Sequence, residues 1–227
     1  MLDLLVVAST APDLRGLHQA LGERIEGRIR NLQICGKAVG VGLAAATAGS
    51  AKRVFQLQPR AVVLIGTCGV YPGYPDYQPL DVIVANRTLL VDAQVDAGQA
   101  TFPAPMSTRI DSHEGLTAGL GGSHPRAKTA PIASTVGNLH DDAYAMALQA
   151  RHGVHAQQLE TFGVASTCHL ARVPFAAALA ITHIVGSHAE RDWKRFHRDA
   201  TMTAAELVLT WIHAGAPGLP HGHPVGG

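Results

Sequence analysis

Short apolar runs alternate with helix-forming stretches along this sequence, and few folds are compatible with that order. Apolar runs of this length are typical of strands buried on both faces of a sheet. They occur at residues 2–8, 61–65, 80–85, 129–134 and 175–182. Helical patterns lie at residues 42–57, 140–152, 161–172 and about 190–214. Because helices between successive strands favour parallel neighbours, the sequence predicts an α/β fold with a largely parallel sheet.

Two local patterns refine this prediction. Thr10 is expected to cap a helix that has Pro12 in its first turn, and residues 24–41 alternate in polarity as the strands of a hairpin do. The strand at 61–65 is expected to end at Gly66-Thr67-Cys68-Gly69. Loops at strand ends are where open α/β sheets bind ligands, so we expect these four residues to contribute to a site.

The length and composition fit one domain. The chain has 227 residues, of which 47% are hydrophobic and 15% charged, enough to bury one sizeable core. We expect this domain to span residues 1–215. Residues 216–227 are rich in Pro, Gly and His, and we expect them to form a flexible tail because they offer little apolar surface to bury.

Charge and cysteine content exclude several classes of function. The formal net charge is +1 and aromatic residues make up only 5%, so a nucleic-acid partner is not expected. No apolar run approaches the length of a membrane span, and the opening run, which carries Asp3, reads as a strand rather than a signal peptide. Three widely spaced cysteines, Cys35, Cys68 and Cys168, fit free buried thiols and a cytoplasmic location.

Five short motifs then occur in an order that resembles a known family. They are Ala8-Ser9-Thr10-Ala11-Pro12-Asp13, Gly40-Val41-Gly42 with Gly66-Thr67-Cys68-Gly69, Leu80-Asp81-Val82-Ile83-Val84, Gln158-Leu159-Glu160 and Ile181-Thr182-His183. In this order and at these separations the sequence resembles the nucleoside phosphorylase/nucleosidase superfamily. That superfamily includes purine nucleoside phosphorylases, methylthioadenosine/S-adenosylhomocysteine nucleosidases and futalosine hydrolases. The spacing from Gly186 to Trp193 also resembles that of futalosine hydrolases.

The resemblance implies a single three-layer α/β/α domain with a central mixed, largely parallel sheet. It also implies a nucleoside substrate, a homodimer, and neither a metal nor an organic cofactor. By resemblance, Asp13 activates water, Glu160 binds the ribose hydroxyls, and His183 contacts N7 of the base as proton donor or hydrogen-bond partner. The other substrate-binding residues that it implies are Leu159, Gly66, Thr67, Cys68, Gly69, His140 and Trp193.

The assigned side chains suit cleavage of an N-glycosidic bond. A carboxylate only accepts hydrogen bonds, so Glu160 can hold two hydroxyls while it stabilises the positive charge that develops on the sugar. His183 stands where relatives have Asp or Asn, and its imidazole has an unperturbed pKa near 6.5. Leu64 and Ile65 stand where phosphorylases carry an Arg for phosphate. The sequence therefore predicts a hydrolase that uses water.

Alternatives remain for both the residues and the function. Glu160 and Asp13 also suit the first turn of any helix, where acids are favoured. His183 and Trp193 also suit packing roles, and His140 suits a surface helix start. His188 and His197 lack a third ligand at metal-binding spacing. A phosphate-dependent phosphorylase, or a nucleoside-binding homologue without activity, would carry the same motifs.

Overall fold

A mixed β-sheet lies between two layers of helices in the computed structural model, which describes residues 2–222. Its nine strands among these residues are β1 (Leu4–Ala8), β2 (Glu26–Ile29), β3 (Leu32–Ala38), β4 (Ala61–Val70), β5 (Val82–Leu90), β6 (Arg109–Asp111), β7 (Ala127–Ser134), β8 (Ala156–Gln157) and β9 (Phe175–Ile184). The helices are α1 (His18–Leu21), α2 (Leu43–Leu57), α3 (Ala93–Asp96), α4 (Glu114–Gly121), α5 (Asp142–His152), α6 (Thr161–Leu170) and α7 (Ala189–His213). A 3-10 helix, Pro12–Leu17, precedes α1.

The strand order is β2-β3-β1-β4-β8-β7-β5-β6, and β9 pairs with both β4 and β5. Strands β4, β8, β7, β5 and β9 therefore close into a ring. Parallel pairs are β1–β3, β1–β4, β4–β9, β5–β7 and β7–β8. Antiparallel pairs are β2–β3, β4–β8, β5–β6 and β5–β9. The α/β class and the mixed sheet predicted from the sequence are confirmed.

Alternation along the strands separates the core into two layers. In β1, Leu4 and Val6 pack on the side of α7, whereas Leu5 and Val7 pack on the side of α2 and α6. In β9, alternate alanines at 176, 178 and 180 face the α7 layer. Because alanine side chains are small, the 25-residue helix α7 can lie close to this strand. Helices thus cover both faces of the sheet, as the apolar strands require.

Two local predictions from the sequence are wrong. Thr10 does not cap a helix: the 3-10 helix begins after Ala11 with no side-chain cap, and Thr10 instead donates to Asp13. The strand predicted at 61–65 continues to Val70, so Gly66-Thr67-Cys68-Gly69 lies within β4 rather than in a loop. Pairing with β9, which continues beyond residue 65, keeps this segment extended.

Ordered packing continues beyond residue 215, where the flexible tail was expected to begin. Ala216 and Leu219 are buried in the core layer that contains α7. The indole Nε1 of Trp211 donates to the carbonyl oxygen of Pro217 at 3.0 Å. These contacts hold the segment after α7, at least to Leu219, against the domain. Residues 223–227 of the expected tail lie outside the described residues.

The three cysteines are free and buried, as expected. Within residues 2–222, no helix combines the length and apolarity that a membrane span requires.

Candidate active site

A cavity of about 670 Å³ opens where the parallel strands β1, β4 and β9 approach their carboxyl ends, beside the start of α7. Strand ends at such an edge bring together side chains that are distant in sequence. All ten residues predicted as site residues line this cavity: Asp13, Gly66, Thr67, Cys68, Gly69, His140, Leu159, Glu160, His183 and Trp193. Four of the five sequence motifs therefore contribute to one cavity, whereas no residue of Leu80-Asp81-Val82-Ile83-Val84 lines it.

Glu160 is held at the buried end of the cavity. It immediately precedes α6 and is 5% exposed. The backbone N–H of Gly42 donates to its Oε1 at 2.7 Å, and the side-chain amide of Gln158 donates to its Oε2. Burial raises the pKa of Glu160, while the bonds from Gly42 and the Ser9 hydroxyl act in the opposite direction. The carboxylate is thus fixed in position before a ligand arrives.

Gln158 lies two residues before Glu160 and contacts both this carboxylate and the start of α6. Its Oε1 accepts bonds from the backbone N–H groups of Glu160 at 2.8 Å and Thr161 at 2.7 Å, and from the Thr161 hydroxyl at 2.6 Å. An amide can accept these bonds at the start of α6 and still donate to the neighbouring carboxylate. A second carboxylate here would instead repel Glu160. Gln158 therefore orients Glu160 without adding charge.

Asp13 lies in the 3-10 helix that follows β1. Its Oδ2 accepts bonds from the backbone N–H and the hydroxyl of Thr10, at 3.0 Å and 2.7 Å. The negative charge of Asp13 contributes to the raised pKa of Glu160. This local turn sets the direction in which the Asp13 carboxylate points into the cavity.

His183 owes its position to an irregularity between β4 and β9. Cys68 pairs with Ile181 and Gly69 pairs with His183, so Thr182 is an extra residue in β9. A Cβ atom built on Gly69 would lie 2.4 Å from Nε2 of His183. The ring therefore lies against the bare backbone of Gly69. Burial lowers the pKa of His183 to about 4, opposed by the charge of Asp192, so the imidazole is neutral near pH 7.

The first turns of α7 form the outer wall. Trp193 stacks on His197 with ring centroids 4.6 Å apart and is 40% exposed. Asp142 accepts bonds from the backbone N–H and hydroxyl of Ser187 at 2.8 Å and 2.9 Å. These bonds tie the start of α5, next to His140, to the turn before α7.

Sequence reasoning missed several residues that line the cavity. These are Ser9, Thr10, Pro12, Val41, Asn138, Gln157, Gln158, Ala189, Glu190 and His197. A backbone donor, the N–H of Gly42, was missed as well, although Gly42 lies within a recognised motif and has a φ of +83° that favours glycine. Five of the missed positions also lie within recognised motifs: Ser9, Thr10, Pro12, Val41 and Gln158. The other five carry no comparable signal, because their contribution depends on which elements pack together.

The cavity wall is acidic. Its described lining contains Asp13, Glu160 and Glu190 but no Lys or Arg. Glu190 is mostly exposed and pairs with Lys194 at 2.6 Å, whereas the other two carboxylates have no cationic partner among the ion pairs of the described residues. Within residues 2–222, no group of three or more His, Cys, Asp or Glu side chains is arranged to hold a metal ion.

Several solved structures share this fold. A futalosine hydrolase mutant of Helicobacter pylori strain 26695 matches with a TM-score of 0.84 and 16% identity, over 94% of this chain and 100% of that chain. A mutant of the Helicobacter pylori methylthioadenosine nucleosidase, with 5′-methylthioadenosine in its active site, gives 0.84 and 16%, over 94% and 99%. The corresponding nucleosidase from Neisseria meningitidis, in complex with methylthio-immucillin-A, gives 0.81 and 16%, over 94% and 100%. The search of curated proteins gives no significant match.

The layered sheet, with its cavity at the ends of parallel strands, defines a nucleoside phosphorylase-like α/β protein. The model of the phosphorylase superfamily matches residues 6–213, which is most of the chain. The chain therefore belongs to the phosphorylase superfamily.

Proposed function

We propose that this protein is a nucleosidase that hydrolyses the N-glycosidic bond of a purine-type nucleoside, either futalosine-like or a 5′-modified adenosine. The observation that carries the proposal is the convergence of Asp13, Glu160 and His183 on one cavity of about 670 Å³. This volume lies within the usual range for small-molecule sites.

Glu160 is proposed to bind the ribose hydroxyls. Bonds from Gly42 and Gln158 fix both of its oxygens, and the carboxylate retains the capacity to accept a further bond. As the bond to the base breaks, positive charge develops on the sugar, and a preorganised carboxylate stabilises that charge without further reorientation. The low exposure of Glu160 strengthens this effect because water screens the charge less.

Asp13 is proposed to orient the attacking water, since its Oδ2 is fixed by Thr10 and its carboxylate faces the same cavity. His183 is proposed to hydrogen-bond the base as a neutral imidazole. Trp193, His140, Leu159 and residues 66–69 would then enclose the remaining surface of the nucleoside.

Free base should be released without phosphate. The described lining offers no Lys or Arg to neutralise a phosphate ion, and its unpaired carboxylates would repel one. A panel of nucleosides incubated with and without phosphate, and analysed by chromatography, should give equal amounts of base and no ribose-1-phosphate. Release of base that depends on phosphate would instead identify a phosphorylase.

A nucleoside-binding homologue without activity is the second candidate, and the neutral state of His183 favours it. An imidazole with a pKa of about 4 is not in its imidazolium form near pH 7, so it cannot act as a general acid for a leaving base. In the same panel such a protein would raise its melting temperature with nucleosides yet release no base.

If this protein is a hydrolase, its activity below about pH 8 should decrease only towards low pH. Burial raises the pKa of Glu160 and lowers that of His183, so both groups reach their proposed active forms as pH rises. We expect kcat/KM to fall towards low pH and not to decrease as pH rises from about 6 to 8, the range in which an unperturbed histidine would lose its proton. Activity that decreases as pH rises through this range would show that an imidazolium is required and would contradict the assignment of a neutral ring.

A homodimer and a cytoplasmic location complete the proposal. A second, shallower groove along α2 is lined by Val41, Leu43, several alanines and Val136, and the exposed Phe55 lies on the same helix. Val41 also lines the main cavity, so a partner subunit on this groove would adjoin the site.

A further inference from the structure

Thr182, the extra residue of β9, connects His183 to the backbone of β4. Its side chain is fully buried. The hydroxyl oxygen lies 3.2 Å from the carbonyl oxygen of Cys68 and 2.8 Å from Nδ1 of His183. Thr182 therefore lies between a carbonyl oxygen, which can only accept a hydrogen bond, and a ring nitrogen, which can either donate or accept one.

Together, these two contacts indicate which nitrogen of the His183 ring carries the proton. A hydroxyl has one proton, and the carbonyl of Cys68 can only accept, so Thr182 must donate to Cys68 if that bond forms. Its oxygen can then meet Nδ1 of His183 favourably only as an acceptor. A neutral imidazole carries one proton, and with that proton on Nδ1 the other nitrogen, Nε2, presents a lone pair.

The lone pair of Nε2 is available to a ligand. Nε2 lies against Gly69, which lines the cavity together with His183, and no side-chain hydrogen bond within residues 2–222 uses this atom. The charged group that acts on the ring is Asp192, which favours the imidazolium, but burial outweighs it and keeps the ring neutral. A ligand that fills the cavity can thus complete the hydrogen bonding of His183.

We propose, on the basis of the nucleosidase or nucleoside-binding function above, that Thr182 is a positioning residue. It holds His183 in the tautomer protonated at Nδ1, so that Nε2 accepts a hydrogen bond from the base and selects 6-aminopurines over 6-oxopurines. At the edge that contains N7, a 6-aminopurine offers an amino donor, whereas a 6-oxopurine offers two acceptors. Only the amino base can pair there with an unprotonated nitrogen.

Binding of base analogues tests the selection without requiring catalysis. The probes are 9-methyladenine and 9-methylhypoxanthine, which lack a glycosidic bond and present the two edges in question. We expect the unmodified protein to bind the adenine analogue at least about tenfold more tightly, the scale of one good base-edge hydrogen bond. In Thr182→Val no hydroxyl holds the His183 proton on Nδ1, so both tautomers of the ring become accessible. The preference for the adenine analogue should then fall to about one- to threefold. Thr182→Ser keeps the hydroxyl and should retain the preference.

The tautomer itself is measured by ¹⁵N NMR of the imidazole nitrogens of the ligand-free protein. Because the chain has 13 histidines, His183 is assigned from the signals lost in His183→Asn. We expect a protonated Nδ1 and an unprotonated Nε2 in the unmodified protein and in Thr182→Ser. A proton on Nε2, or equal binding of the two analogues by the unmodified protein, would overturn the proposal even if Thr182→Val does not fold.

The two readouts also separate this proposal from the proposed hydrolysis. The protein could bind 9-methyladenine tightly and carry its proton on Nδ1, yet release no base from any nucleoside. This result would support the role of Thr182 and contradict the proposed hydrolysis. Equal release of base from 6-amino and 6-oxo nucleosides, with a proton on Nε2, would support hydrolysis and contradict the role of Thr182.

Discussion

Replacing Glu160 with alanine should lower kcat/KM for nucleoside cleavage by about 10²- to 10³-fold, the scale associated with loss of one preorganised electrostatic group. The reason is geometric as well as electrostatic. Gly42 and Gln158 fix the carboxylate at the buried end of the cavity, and no other described residue presents a buried carboxylate there. Steady-state kinetics with the best substrate from the nucleoside panel measures the loss.

The matched control is Glu206→Ala, which removes the same side chain from an exposed position on α7 outside the cavity lining. It should leave kcat/KM unchanged within about twofold, since exposed charges contribute little. Glu160→Ala also leaves the N–H of Gly42 without its partner, which can lower the stability of the fold. Thermal unfolding of both variants therefore distinguishes a loss of catalysis from a loss of folding. Full activity in a folded Glu160→Ala protein would eliminate Glu160 as the ribose-binding group.

Gly69→Ala should reduce kcat/KM by about 10²-fold, because displacement of a positioned group by about 1 Å is sufficient for such a loss. The added methyl group would lie 2.4 Å from Nε2 of His183 and 2.8 Å from a methyl carbon of Val185. The ring must therefore move out of its place at the cavity wall. Gly69 does not have a positive φ, so the substitution acts through contact with His183 rather than through backbone strain.

Gly27→Ala is the control for this experiment. It makes the same change in strand β2, outside the cavity lining, and its added carbon would meet only Leu21, at 3.5 Å, which is an ordinary contact. We expect it to retain full activity. Equal loss of activity in both variants would show that an added methyl group in the sheet, rather than displacement of His183, is the cause.

The helices and strands followed largely from local patterns. The apolar runs at 61–65 and 175–182 lie within β4 and β9, and the pattern at 161–172 corresponds to α6. Short elements such as β6, β8 and α4 were not predicted. Strands of two or three residues have no periodicity to detect, and their existence depends on a neighbour that supplies hydrogen bonds.

Local sequence patterns did not predict several features of the site. The Gly-rich segment 66–69 reads as a turn in sequence, yet pairing with β9 makes it part of a strand. Gln158 was not predicted as a site residue, yet its amide accepts a bond from the backbone at the start of α6 and also donates to Glu160. His183 reads as a titratable group near neutral pH, yet burial makes it a neutral one.

The sequence by itself determined the α/β class, because apolar periodicity depends on short-range chemistry, and its ordered motifs carried the resemblance that implied ten residues of one cavity. Only the tertiary structure decided how those side chains behave. The N–H of Gly42 meets Glu160 across 118 positions, and the hydroxyl of Thr182 meets Cys68 across 114. Such contacts arise from the packing of layers and the pairing of strands, and burial at those contacts sets the charge and orientation of each group.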